Sequence, residues 1–189
     1  MKKFFTLLFY TSMIFSAKAD YWTQKAGMAG GMRYTAVGFS IGNKGYIGTG
    51  GNSATFYQDL WEYDPVANTW TQKANLPGAA RSFACGFSSS SKGYIGLGQN
   101  TGGYLQDFWE YDPASNSWTQ IADFGGGARA FTPTGFALGG YLYAGLGFDG
   151  TDKIDFWQYD TLLNTWTQKA NFGGVACEQA VSFTIGNKG

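Results

Sequence analysis

The chain of 189 residues contains no histidine, two cysteines and four prolines. Without an imidazole there is no Ser-His-Asp triad and no zinc site built on histidine. The cysteines, Cys85 and Cys177, are too few for the dense disulfide framework of a small secreted scaffold. They fall at different positions of different repeats. Each is expected as a small buried hydrophobe, with one disulfide between them as the alternative. Charge is also scarce, at 14% of residues, with Lys+Arg and Asp+Glu both 13. Lys2, Lys3 and Lys18 lie in the N-terminal leader, so the remainder carries 10 basic against 13 acidic residues. That balance, with no Lys/Arg cluster beyond the leader, excludes the basic footprint of a nucleic-acid partner.

Long apolar runs are missing too. The longest, Phe4 to Phe15, covers 12 residues, broken only by Thr and Ser, whereas a membrane span needs about 20. Lys2 and Lys3 precede it, and Ala17-Lys18-Ala19 follows as a small-x-small cleavage site. Residues 1–19 are expected to be an export signal, with Asp20 as the new N-terminus. The mature chain, with no membrane span, is then periplasmic, on the cell surface or secreted.

What is abundant is aromatic residues (19%) and glycine (29 residues), a composition that suits short strands joined by tight turns. The chain also repeats. Leu60-Trp61-Glu62-Tyr63-Asp64-Pro65 returns as Phe108-Trp109-Glu110-Tyr111-Asp112-Pro113 and as Phe156-Trp157-Gln158-Tyr159-Asp160-Thr161. Trp22, Trp70, Trp118 and Trp166 are spaced 48 residues apart, a period that marks a repeat architecture. Residues 20–189 thus form units starting near these four tryptophans.

Each unit predicts four strands. In the second they are Arg81–Phe87, Gly93–Gly98, Asp107–Tyr111 and Ser117–Ile121. Asn43-Lys44-Gly45 is expected to supply a positive φ for the first hairpin. Asp64-Pro65 opens a type I turn that Asn68 closes, as Asn116 and Asn164 do in later units. The third unit has one extra residue between Phe131 and Gly135 and one fewer before Trp157; Pro133 predicts a bulge there.

These residues resemble the kelch repeat, whose pattern is an apolar run ending in a Gly-Gly pair, then a Tyr and a Trp with six residues between them. Tyr63–Trp70, Tyr111–Trp118 and Tyr159–Trp166 keep that spacing. The pair is intact at Gly50-Gly51 and reduced to Gly98-Gln99 and Gly147-Phe148. The resemblance implies an all-β fold, a kelch-type β-propeller, present as an incomplete arc of about three four-stranded blades plus a partial fourth. The fourth unit reaches only Ile185-Gly186-Asn187-Lys188-Gly189, and Trp22-Thr23-Gln24 reads as the outermost strand of a closing blade. Two readings follow: a truncated piece of a longer protein, or an open arc that closes by self-association.

Arg33, Arg81 and Arg129 recur just before the first strand. In kelch-like propellers that strand lines the channel, so these arginines are candidate ligand-binding residues for carboxylate or phosphate. The alternative is a structural arginine bonding the carbonyls of a neighbouring blade. Asp59, Asp107 and Asp155, with Asp64, Asp112 and Asp160, repeat with the blade and read as caps rather than as a catalytic pair. Asp149-Gly150-Thr151-Asp152-Lys153-Ile154-Asp155 fits no calcium-loop template. No catalytic residue, metal site or cofactor is expected; the lack of histidine removes the copper site of galactose oxidase-type kelch enzymes. The leading expectation is an exported binding module for a protein or glycan, using blade loops and the channel mouth. The alternative is a carbohydrate-active enzyme resembling a sialic-acid mutarotase.

Overall fold

Turn chemistry cuts the chain into short strands, and the computed structural model places no helix among the residues it describes, 22–131 and 133–189. The expected export signal lies outside them. The first blade consists of β1 (Val37–Ile41), β2 (Lys44–Gly48), β3 (Leu60–Asp64) and β4 (Thr69–Lys73), paired antiparallel in that order. The second begins with β5 (Cys85–Ser88) and β6 (Gly93–Gly96). A two-stranded excursion follows, β7 (Gln99–Asn100) and β8 (Gly103–Tyr104). The blade then ends with β9 (Phe108–Asp112) and β10 (Ser117–Ile121), in the order β5-β6-β9-β10. The third is β11 (Thr134–Leu138), β12 (Tyr141–Gly145), β13 (Phe156–Asp160) and β14 (Thr165–Gln168). The fourth unit contributes a hairpin fragment, with Ile185 and Lys188 exchanging backbone bonds of 2.9 and 3.1 Å.

The innermost strands β1, β5 and β11 lie side by side, so the blades fan around a channel. A sheet with apolar residues on both faces must bury both, and the two seams do this. Val37, Tyr46, Leu60, Ile95 and Tyr111 fill the first, with Trp118 against them. Phe87, Tyr94, Phe108, Phe124, Leu142 and Tyr159 fill the second, with Trp166 against them. Each fully buried large side chain contributes roughly 1.5–3 kcal/mol. Of the periodic tryptophans, Trp118 and Trp166 therefore occupy the seams, Trp70 packs on Tyr63 outside both, and Trp22 is fully exposed.

Polar groups lock the seams at their rim. Asn116 Oδ1 accepts from the Ala74 N–H (2.9 Å) and from the Tyr111 hydroxyl (2.9 Å), while the Trp118 indole donates to the Ala74 carbonyl (2.9 Å). One residue leaving blade 1 is thus held at both backbone groups by blade 2. Asn164 and Trp166 hold Ala122 in the same way, and Asn68 and Trp70 hold Ala26. This fastens the N-terminal segment to blade 1, although residues 22–25 form no strand.

Three local expectations are corrected. The first hairpin turns at Gly42-Asn43, one residue earlier than predicted, with Gly42 at φ +58°; glycine suits the first central position of a two-residue loop. The predicted strand 81–87 is broken by Phe83 at φ +54°, so β5 begins at Cys85. Pro133 lies ahead of β11 rather than in a bulge within it, so the extra residue is absorbed before the strand. The weakened glycine pair also has a cause. Gly50, Gly98 and Gly147 all have φ between +82° and +92°. A Cβ on Gly50 or Gly98 would press on the backbone of the segment before the innermost strand. The next position has no such φ, so Gln99 and Phe148 are accepted there.

Asn116 sits at φ +51°, a region that costs most side chains about 1–2 kcal/mol. Asn116→Ala is expected to lower stability by about 2 kcal/mol through lost bonds and strain. Asn116→Gly, which relieves the strain, should be milder by roughly 0.5–1 kcal/mol. Urea unfolding of the two variants checks the order.

Candidate functional site

The three candidate arginines lie one per blade and do not converge. Each guanidinium forms a fork with the aspartate that precedes the third strand of its own blade. Arg81 donates to Asp107 at 2.8 and 2.6 Å, and Arg129 to Asp155 at 2.7 and 3.0 Å. Arg33 does the same to Asp59 at 2.5 and 2.8 Å. The carboxylate also accepts from the indole two residues on, Trp61, Trp109 or Trp157, at 2.6–2.7 Å. Remaining donors go to carbonyls: Arg33 to Thr49, Arg81 to Leu97 and Ala79, Arg129 to Leu146. Arg81 is 0% exposed and Arg129 1%. Of the buried nitrogens of these three arginines, only the Nε atoms of Arg33 and Arg129 lack an acceptor. The forks are therefore filled from within each arginine's own unit, by an aspartate and carbonyls, and not by the carbonyls of a neighbouring blade as the structural alternative had it.

Burial alone would raise the Asp59, Asp107 and Asp155 carboxyls. Hydrogen bonds from the arginine and indole, with the arginine's charge, outweigh it and hold all three below the ordinary carboxylate range. The other recurring acids cap turns, as predicted. Asp64 accepts from the Val66 N–H (2.8 Å) and Asp160 from the Leu162 N–H (2.9 Å). The acid-rich loop does not converge: Asp149 pairs with Lys153 (2.7 Å), and Asp155 belongs to Arg129. Cys85 is buried and Cys177 half-buried, and they are not bonded to each other; burial pushes the Cys85 thiol up. Cys177 stands where a fourth arginine would be, and its carbonyl accepts from Gly147 N–H (3.1 Å) as the Arg81 carbonyl does from Gly50 (2.8 Å).

The channel is an open cavity of about 510 Å³ lined by β1, β5, β11 and residues 180–184. Its wall holds Gly, Ala, Ser, Thr, Val, Phe and Pro, with no charged side chain. Its mouth, at the start of the innermost strands, carries a feature the sequence reading missed. Phe83 and Phe131 come from adjacent blades with ring centroids 4.9 Å apart. Phe148 meets Phe131 edge-on at 5.5 Å, and Tyr104 of β8 meets both at 6.3–6.4 Å. All four are half-buried and belong to neither seam core. The signal was available: Thr35, Phe83, Phe131 and Gln179 occupy one repeat position, all at φ +54° to +57°. The backbone kink is constant and the side chain varies.

The chain is similar in structure to YjhT, with a TM-score of 0.68 at 18% identity over 85% of this chain and 58% of that one. The fold is a kelch-like β-propeller, here an incomplete arc. No protein-family model and no curated protein matches the sequence. The chain spans 58% of the YjhT structure, so the likeness extends to the propeller scaffold alone. On this kelch-like scaffold the Arg–Asp–Trp clusters recur in every full blade, whereas the mouth aromatics do not.

Arg81→Met strands a partly buried carboxylate and is expected to cost about 3 kcal/mol. The three lowered aspartates set a pH dependence. Their stabilisation is complete above the unfolded pKa of about 4 and is lost as pH falls through the folded values below it. Urea midpoints should therefore stay level from pH 7 to about 5 and then fall steeply, and Arg81→Met should flatten that fall.

Proposed function

We propose that the chain is an exported binding module that takes a glycan at the channel mouth. The carrying observation is the aromatic group Phe83, Phe131, Tyr104 and Phe148, assembled from two blades and the β7–β8 excursion at positions where the repeat varies. Repetition builds a scaffold; side chains that break it are free to serve recognition. Half-buried rings held edge to face are rigid, so little rotamer freedom is lost when a sugar's C–H face stacks on them. Gln99 and Asn100 of β7 stand at the rim, where amide groups can bond hydroxyls.

The enzyme alternative calls for a unique acid projecting into the channel. Among the described residues the channel wall carries no acid; under that alternative the acid and base would lie on blades not among them. An anionic sugar would also need an open cation at the mouth, and the three arginine forks there are filled by aspartate. The ligand of choice is therefore a neutral glycan.

Screening the purified chain on a glycan array, followed by calorimetric titration of the best neutral oligosaccharide, tests this reading. Phe131→Ala should weaken binding at least about 10-fold while the chain stays folded. An array with no signal, or a Phe131→Ala variant that binds as tightly as the parent, would overturn it.

A further inference from the structure

At the end of the channel away from the aromatic mouth, blades 2 and 3 part. A cleft of about 620 Å³ lies there between the β5–β6 turn and the β11–β12 turn. Ser89, Lys92 and Glu110 of blade 2 line one wall, and Leu138 and Tyr141 of blade 3 line the other. Both blades have all four strands, and the cleft comes from side chains that depart from the repeat.

The first departure is a missing apolar side chain. Ile41, Leu138 and Ile185 each stand two residues after the phenylalanine of their innermost segment, and Ser89 replaces them in unit 2. Ile41, 8% exposed, belongs to the buried core of the seam between blades 1 and 2. The Ser89 hydroxyl instead accepts from the Lys92 N–H of its own turn (3.1 Å). A close-packed seam that loses such a side chain keeps a void.

The second departure is in charge. In blade 1, Glu62 and Asp64 have a cation each, Lys73 at 3.4 Å and Lys44 at 2.5 Å. In blade 2, Ile121 stands where Lys73 does. Glu110 and Asp112 therefore share Lys92, at 3.6 and 2.6 Å. Asp112 holds the short contact. One Glu110 oxygen accepts from the Tyr94 hydroxyl (3.0 Å), and the other is the one that Lys92 only approaches. The third departure is aromatic. The residue opposite Ile41 across its hairpin is Lys44, but the residue opposite Leu138 is Tyr141. Tyr141 is 39% exposed.

A carboxylate in excess of its cations and an open aromatic ring in one cleft are the groups that recognise an organic ammonium. The carboxylate accepts its N–H donors, and the ring face attracts its charge. The volume is that of a small-molecule site. We propose that this cleft binds an alkylammonium group, carried by a free small amine or by a lysine side chain of a peptide. Glu110 accepts from the ammonium and Tyr141 covers it.

Calorimetric titration of the purified chain with putrescine, with Nα-acetyl-lysine methylamide and with the neutral butanediol tests the proposal. At least one amine is expected to bind with a Kd below about 5 mM, and the diol is not. Which amine binds more tightly separates a free amine from a peptide lysine. Gln158 holds the equivalent position in blade 3 and bonds the Tyr143 hydroxyl (2.6 Å), so Glu110→Gln keeps the link to Tyr94 while removing the charge. It should weaken binding at least about 10-fold. Tyr141→Ala should weaken it roughly 3-fold. Ser89→Ile, which restores the residue of the first unit, should refill the cleft and abolish binding. Circular dichroism checks that each variant stays folded. Neither amine binding at about 10 mM would overturn the proposal. So would a diol that binds as tightly as the amines, or amine binding that Glu110→Gln leaves unchanged.

Discussion

The constraint on which this structure rests is that no blade can cover its own faces. Each four-stranded sheet carries large apolar residues on both sides, and a sheet of that size exposes them to water unless another sheet lies against each face. Tyr46, Leu60 and Ile95 are buried only because blades 1 and 2 meet; Phe87, Phe108 and Leu142 are buried only because blades 2 and 3 meet. Stability therefore resides in the seams.

Within that frame the polar groups set geometry more than they add stability. An arginine forked onto an aspartate beside an indole ties the segment before the first strand to the segment before the third, inside one blade. A buried ion pair gains little over an apolar replacement, but losing one partner is costly. Such a pair fixes the loop conformation against alternatives. Residues 35, 83, 131 and 179 are left-handed in all four units, the fourth included, where Cys177 replaces the arginine, so this kink does not depend on the ion pair. The same kink in four units projects four different side chains, and this is where the scaffold and the proposed recognition surface separate.

The strands, blade boundaries and caps were legible because they follow from local chemistry repeated in register. Asp64 and Asn68 behave as the turn requires, and the Tyr–Trp spacing places each ring pair across β3 and β4 or their equivalents, 5.0–5.2 Å apart. Smaller features were less legible. The hairpin at Gly42-Asn43 was displaced by one residue because two glycines, Gly42 and Gly45, flank it and sequence alone does not say which takes the positive φ. Pro133 was read as a bulge because nothing local tells an insertion before a strand from one within it.

The sequence by itself determined the period, the four strands of each blade and the need for neighbours, since these depend on which residues are near one another along the chain. Only the tertiary structure decided what the recurring arginines do. Their partners lie 26 residues away, and whether a guanidinium faces a channel or a carboxylate depends on how loops fold back over the sheet. It also decided that Phe83 and Phe131, 48 residues apart, touch across two blades. A repeat specifies each unit's shape, but side chains from different units meet only through the angle at which the units stack.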